Sequence, residues 1–402
     1  MTLPAPPKSA IVPSASQTSG PSISASPAIL QVIPRLETGG AERTTIDVAA
    51  ALARNGYAAY VATQEGRMLG ELIDAGGRWI RFPAHSKAPH TLIANAFRLR
   101  DIVRERKIAL IHARSRAPAW SAFFAARMAK VPFVTTYHGI YNAKSGLKRF
   151  YNSVMARGDI VIANSEWTAA HIANEYRFKP KQLAVIPRGV DFARFDPAAV
   201  SSERVETLQQ QWHAKPGETI ILLPGRLTRW KGQAVLIDAL ARLKREGRLG
   251  HVRAVLAGDA QGRNAYETEL QLQATSQGLD NVVVIAGHVS DMAAAYLAAD
   301  IVVSASTDPE AFGRVAAEAG AMERPVIATD HGGAREVIVG GTSGLLIPPG
   351  DTSALADALS TLLAAGAEQR ETMGKAARAH IAARYTVEKM CADTLALYRS
   401  LL

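Results

Sequence analysis

Residues 219–240 read "TIILLPGRLTRWKGQAVLIDAL". The opening run is apolar at every position after Thr219, includes the β-branched Ile220 and Ile221, and stops at Pro224-Gly225. A strand with no polar alternate face is buried on both sides. From Gln233 the pattern changes, because Val235, Leu236, Ala239 and Leu240 recur at helical spacing, so a helix begins near Gly232–Gln233. A doubly buried strand feeding a helix is the unit of a parallel sheet covered by helices on both faces.

The unit recurs in both directions. Downstream lie "VRAVLAG" (252–258), "NVVVIAG" (281–287), "DIVVSAS" (300–306), "RPVIATD" (324–330) and "GLLIPPG" (344–350). Upstream lie "ILQVI" (29–33), "AYVAT" (59–63), "WIRF" (79–82), "ALIHA" (109–113), "PFVTT" (132–136), "DIVIA" (159–163) and "LAVIP" (183–187), with helical patterns such as "AERTTIDVAAALARNG" between them. The polar stretch 188–218 breaks this rhythm. The expectation is α/β, with two doubly wound parallel-sheet (Rossmann-like) domains: 29–200, which would take an acceptor, and 201–385. A C-terminal helix over 386–402 is expected to pack back on the first domain. Open α/β sheets bind ligands beyond the C-terminal ends of their strands, so two such domains share a central cleft.

Composition narrows the class. With 402 residues, 48% hydrophobic and 20% charged, the chain is globular and long enough for two cores. Residues 1–28 are rich in Pro, Ser and Ala and read as a disordered tail with neither a signal-peptide nor a transit-peptide pattern. No segment approaches the roughly 20 apolar residues of a spanning helix. Cys391 is the single cysteine, which fits a reducing cytoplasm and an inert buried thiol. The net charge of +10 divides into +13 over residues 1–200 and −3 over 201–402. Nucleic acid, an anionic membrane face or a phosphorylated acceptor would each suit the basic half.

Three loops at strand ends carry candidate chemistry. Gly39 and Gly40 sit between a strand and a helix start, where backbone can approach a ligand and free N–H groups face an anion; a plain tight turn is the other reading. There is no G-x-G-x-x-G and no G-x-x-x-x-G-K-[ST], which removes the phosphate loops of Rossmann dinucleotide binding and P-loop chemistry. Arg226, Arg229 and Lys231 crowd a helix N-terminus that already carries about half a positive charge, so a diphosphate would offset them; a solvated basic loop is the alternative. In "STDPEAFGRVAAEAGAMERPVIATDHGG" (306–333) a helix is expected from Phe312–Gly313. Glu310 and Glu318 would then stand about 12 Å apart if the intervening chain is helical. That separation suits a sugar at one end and a ribose at the other, with a diphosphate over the amides of Gly313, Arg314 and Val315.

"GRLTRWKG" (225–232), the E-x7-E segment "EAFGRVAAE" (310–318) and "IPRGVD" (186–191) together resemble the retaining GT-B-fold glycosyltransferases of family 4, which include many bacterial lipopolysaccharide-core and capsule enzymes. The likeness runs from about residue 29 to the C-terminus. It implies transfer of a hexose from a nucleotide-diphospho-sugar to a saccharide or lipid-linked saccharide, with retention, in lipopolysaccharide core or surface polysaccharide assembly. It also implies no cofactor and no metal, and 201–385 as the donor-binding domain. Carried over by position, Arg226 and Lys231 hold the diphosphate, Glu318 the ribose and Glu310 the donor sugar. Gly39 and Gly40 approach the reacting phosphate, His138 lies near the sugar, and Gly287, His288 and Val289 contact the base. Phe312, Gly313 and Val315 belong to the same donor-binding segment. Arg314 departs from the pattern, since many relatives have an apolar residue there, and its role stays open. His138, Glu310, Arg226 and Lys231 form the expected catalytic set.

The acceptor side reads more loosely. "YNAKSGLKRFYNSVMARG" (141–158) sets Leu147, Phe150, Tyr151 and Val154 against Lys144, Lys148, Arg149 and Arg157, a pattern that suits either an anionic membrane surface or a packed surface helix. With "HARSRAPAW" (112–120) it points to an anionic acceptor and to peripheral association with the inner face of the cytoplasmic membrane. A non-catalytic sugar-binding relative, against which every charged motif position is present, a nucleotide-sugar epimerase or phosphorylase, and a basic nucleic-acid-binding protein are the rival readings. The last lacks a recognised module, and no nucleic-acid partner is expected.

Overall fold

A computed structural model describes residues 27–37, 39–86, 88–141, 145–176, 182–262 and 264–402. The apolar runs fold as strands of two sheets. In the first lobe these are β1 (Ala28–Arg35), β2 (Ala58–Gln64), β3 (Arg78–Arg81), β4 (Ile108–Ala113), β5 (Phe133–Tyr137), β6 (Ile160–Ala163) and β7 (Leu183–Val185). Every pairing is parallel and the order is β3-β2-β1-β4-β5-β6-β7. The second lobe holds β8 (Thr219–Pro224), β9 (Val252–Ala257), β10 (Val283–Gly287), β11 (Ile301–Ser304), β12 (Val326–Thr329) and β13 (Gly344–Ile347). These too are all parallel, in the order β10-β9-β8-β11-β12-β13. The two-sheet α/β class expected from the sequence is therefore the observed one.

Each sheet buries side chains on both faces, which is why its strands carry no polar stripe. In β1, Leu30 and Val32 join one core while Ile29 and Ile33 join the other; in β8, Ile221 and Leu223 face one way and Ile220 and Leu222 the other.

The chain crosses between lobes twice, and the crossings touch. Val190 N–H donates to the Tyr385 carbonyl at 2.7 Å and Val387 N–H to the Val190 carbonyl at 3.1 Å, with Val190 and Thr386 in a parallel bridge. Gly189 permits this approach: a Cβ there would lie 2.3 Å from the Val387 nitrogen. After the second crossing, the helix Val387–Arg399 packs on the first lobe, where Met390, Cys391, Leu395 and Tyr398 share a core with Ile29, Ile33 and Ile46. Burial pushes the Cys391 thiol up to about 12, which keeps it protonated.

The polar stretch 188–218 is less of a linker than its composition suggests. It contains the helix Ser202–Gln211, and Phe195, Leu208 and Trp212 are buried in the second lobe's core. The tail reading for residues 1–28 falls, through residue 26, outside the described residues. Among those described, no helix is long and apolar enough to cross a membrane.

Candidate active site

The strand orders reverse between β1 and β4 and between β8 and β11. At such switch points the loops leaving neighbouring strands diverge to opposite faces and open a crevice. The loops after β1, β5, β8 and β11 accordingly wall one cavity of about 920 Å³ between the lobes. Gly40, Arg116, His138 and Arg188 contribute from the first lobe; Arg226, Trp230, Glu310 and Arg314 face them from the second.

On the second wall, Gly232 lets the loop after β8 lie against the loop after β11. A Cβ on it would stand 1.9 Å from the Ala305 carbonyl oxygen, and its φ is +78°. This contact sets Lys231 beside Glu310, with Nζ to Oε1 at 2.5 Å, and the Ser306 hydroxyl donates to the same oxygen at 2.6 Å. Burial pushes the Glu310 carboxyl up, but Lys231, Ser306 and Arg188 outweigh it and hold the group below its usual range.

The electrostatic reading of the three cations needs correction. Arg229 forms a two-pronged pair with Glu269, at 2.5 and 2.6 Å, and lies over the Tyr266 ring. Lys231 has Glu310. Of the three, Arg226 is the one that lines the cleft, and it has no ion-pair partner among the described residues. A buried or cleft-facing cation without a counter-charge is the feature that asks for an anion.

The Glu310–Glu318 spacing also differs from expectation. Glu310 precedes the helix Arg314–Ala321 and Glu318 lies in its second turn, as expected, but Glu310 is held in a bridge with Gly332, so the 12 Å helical span between the carboxylates does not apply. Glu318 is buried in the second turn. Tyr296 donates to its Oε2 at 2.9 Å and Arg314 Nε to its Oε1 at 2.6 Å. The Arg314 side chain thus pairs with Glu318, and it also borders the cleft. Its helix opens with the bond from Ala317 N–H to the Gly313 carbonyl, at 3.1 Å. The amides of Arg314 and Val315 precede that bond and are therefore free for an anion, with Phe312 and Gly313 leading into them.

Across the cleft, Gly39 caps the helix Gly40–Arg54. His138, at the end of β5, receives two contacts from Arg188 Nη2, one at its Nδ1 and one at its carbonyl, both 3.1 Å. A guanidinium can only donate, so Nδ1 carries the lone pair and the proton resides on Nε2. That Nε2 is buried with no partner among the described residues. Burial, then Arg188 and Arg114, hold the imidazole well below its ordinary value, so it is a neutral N–H donor. Burial, aided by Arg314, also lowers Arg188 to about 10.

Gly287, His288 and Val289 fall elsewhere. Gly287 ends β10, and His288 with Val289 lines a separate groove of about 670 Å³ against Arg204 and Trp212. From "HARSRAPAW", Arg116 reaches the cleft, whereas Arg114 is buried on Gln31 at 2.8 Å.

Sequence reading missed four contributors. Arg188 stood inside "IPRGVD", but nothing local shows that its guanidinium turns to a histidine 50 residues away. Tyr296 hides in an alanine-rich helix, and Ser306 in a strand end. Glu336 clasps the lobes together: its carboxylate accepts the N–H groups of Glu166 at 2.9 Å and Trp167 at 2.7 Å, capping a first-lobe helix from the second lobe. Thr168 donates to the Ala311 carbonyl beside it at 3.1 Å.

Residues 204–380 match the family of glycosyl transferases group 1, and residues 38–194 match glycosyltransferase family 4. A crystal structure of a glycosyltransferase from Rickettsia africae ESF-5 is 33% identical, with 94% of this chain and 98% of that one aligned at a TM-score of 0.85. Anabaena HepE, solved in complex with UDP-glucose, is 28% identical over 92% of this chain and 99% of its own, at a TM-score of 0.79. A D-inositol 3-phosphate glycosyltransferase from Segniliparus rotundus is 32% identical over 251 residues, 62% of this chain and 54% of that protein. The chain thus spans little more than half the length of that curated relative.

Proposed function

The chain belongs to the group 1 glycosyltransferases, and from that footing we propose that its cleft binds a nucleotide-diphospho-sugar and passes the hexose to an acceptor hydroxyl with retained anomeric configuration. One observation carries the reading. Arg226, with no ion-pair partner among the described residues, Glu310 in its pair with Lys231, and Arg314 at a helix start share one wall, opposite the neutral donor His138. HepE, solved with UDP and with UDP-glucose, supports such a donor.

The diphosphate lies between Arg226, Lys231 and the Arg314–Val315 amides. The ribose hydroxyls meet Glu318. A carboxylate has about four acceptor directions, so Tyr296 and Arg314 leave room for them. His138 Nε2–H and Glu310 hold hydroxyls of the sugar, and Gly39–Gly40 bring backbone to the reacting phosphate. The base is left to Gly258, just after β9, and Gly287, at the end of β10, on the sheet edge where β9 borders β8 and β10 lies beyond it.

In the transfer step the acceptor oxygen bonds to the anomeric carbon on the face the diphosphate leaves. The carbon–oxygen bond to phosphate breaks with its electron pair going to the phosphate oxygen, which takes the acceptor's proton. Fixed cations and amides stabilise that developing charge, and the scheme draws on no metal ion.

The acceptor is a saccharide or lipid-linked saccharide of a surface polysaccharide, such as lipopolysaccharide core, met on the cytoplasmic side. A phosphorylated polyol is the second reading, favoured by the name of the inositol 3-phosphate relatives and by Arg116 on the first-lobe wall. Incubating the protein with a panel of nucleotide sugars and both acceptor types, then reading the new linkage by NMR, tests the proposal. A product with the donor's anomeric configuration is expected. An inverted product, or isomerised donor with no acceptor product, overturns it.

A further inference from the structure

The sequence pattern over 141–158 predicts one amphipathic helix, but the fold divides it. The helix spans only Gly146–Asn152, Val154 is fully buried in the turn that follows, and Lys144 lies outside the described residues. Of its cations, Arg149 lines the cleft. The first-lobe wall there carries Arg116, Tyr141, Arg149, His171 and Glu175, none of which the donor engages.

These side chains form one surface. The Arg116 guanidinium lies over the Tyr141 ring at 4.2 Å, and the Tyr137 ring stands 4.3 Å from Tyr141 and 6.4 Å from His171. His171 and Glu175 are one turn apart on the helix Glu166–Glu175, so they share a face. Arg149 Nε reaches across from its own helix to Glu175 Oε1 at 2.9 Å.

Three features of this surface point to a ligand. Glu175 is the last residue of its helix, where the backbone already carries about half a negative charge, so helix stability does not explain a carboxylate there. The Arg149–Glu175 pair is also unsaturated: Nε and Oε1 are joined, while the Arg149 Nη groups and Glu175 Oε2 have no protein partner among the described residues. Finally, His171 Nε2 is buried and without a partner among the described residues. Burial lowers this imidazole against the pull of Glu175, so it is neutral at pH 7.

The arrangement selects by charge. A phosphate drawn to Arg149 would stand beside the Glu175 carboxylate, and like charges at that range oppose each other. The other first-lobe cations are engaged, Arg188 with His138 and Arg116 with Asn152 Oδ1 at 2.9 Å. Neighbouring hydroxyls of an uncharged sugar fit the same pair, because a hydroxyl can donate to the carboxylate and accept from the guanidinium, both as charge-assisted bonds. We propose that Glu175 and Arg149 are the acceptor-selecting pair, holding two adjacent hydroxyls of an uncharged pyranose, and that the carboxylate turns away a phosphorylated ring in its place. The inference rests on the transfer reading above and decides between its two acceptors in favour of the saccharide.

The test is saturation-transfer NMR on the full chain, with UDP, ADP or GDP present, whichever binds. The probes are the methyl pyranosides of glucose, galactose and mannose, the three hexose 6-phosphates and myo-inositol 1-phosphate. At least one pyranoside should bind about tenfold more tightly than every phosphate. Glu175→Gln, which keeps the shape and removes the charge, should narrow that preference about tenfold by admitting the phosphates, and Glu175→Ala should weaken the pyranoside about tenfold. The side chains of the pair are 56% and 21% exposed, so both variants should keep the wild-type melting midpoint and nucleotide affinity. Pyranosides that fail to bind, phosphates that bind more tightly, or a Glu175→Gln variant with the wild-type preference overturn the pair. With a diphosphate bound, those results spare the transfer reading; a protein that binds no nucleoside diphosphate sinks the transfer reading, and the acceptor pair with it.

Discussion

Replacing Lys231 by Met isolates the role of the cleft's ion pair. Lys231 and Glu310 side chains are 13% and 11% exposed and 2.5 Å apart. Removing one member of such a pair strands a buried charge and costs about 3 kcal/mol or more. The penalty depends on pH, and its sign follows from the carboxyl. In the wild type Glu310 is held below its usual range, so it contributes stability above the unfolded carboxyl value that is lost as pH falls. Without Lys231, burial dominates and pushes the folded carboxyl up, so the variant gains by protonation at low pH and loses stability as pH rises. The cost of Lys231→Met should therefore be about 1 kcal/mol near pH 5 and about 3 kcal/mol near pH 8. Urea unfolding at the two pH values measures it. Adding Glu310→Gln removes the stranded charge and recovers most of the stability, while transfer stays lost in both variants. A Lys231→Met protein as stable as wild type at pH 8, or one that transfers sugar at the wild-type rate, refutes the reasoning.

Four further outcomes follow from the geometry. His138→Phe removes the donor proposed to hold the sugar and should lower kcat about 100-fold with little change in KM, and the wild-type rate should show no titration of this neutral imidazole between pH 6 and 8. Because His138 and His112 are both held well below the ordinary histidine value, their contribution to stability is present above about pH 6.5 and is lost on acidification; thermal melts from pH 7.5 to 5 should fall accordingly. Glu336→Ala removes the cap that joins the lobes, costs about 1 to 2 kcal/mol of closure, and should enlarge the radius of gyration measured by X-ray scattering while raising the donor KM. Glu318→Ala should weaken nucleotide affinity at least tenfold in calorimetry and also free Arg314 and Tyr296.

The sheets were legible because apolar runs such as "TIILLPG" and "DIVVSAS" can only be buried on both faces, and both proved to be interior strands. The order of strands was not, since nothing local says that β8 pairs with β11 across 80 residues. At the site, residues beside glycine or at strand ends were readable: Arg226, Lys231, Glu310 and Gly40 all reach or support the cleft. What escaped was pairing at a distance. Local charge counting could not tell that Glu269 takes Arg229, that Arg314 turns back along its own helix to Glu318, or that Arg188 fixes the tautomer of His138. The helical ruler between the two glutamates failed because the chain from Glu310 pairs with Gly332 before the helix begins.

Arg226, which has no ion-pair partner among the described residues, is proposed to hold a pyrophosphate, and a calorimetric titration addresses this most directly. UDP, ADP, GDP and their nucleosides would be titrated into wild type and into Arg226→Ala. At least one diphosphate should bind far more tightly than its nucleoside, and Arg226→Ala should lose about 10- to 100-fold of that affinity while binding the nucleoside unchanged. Equal affinity for diphosphate and nucleoside, or a diphosphate that binds both proteins alike, would contradict it.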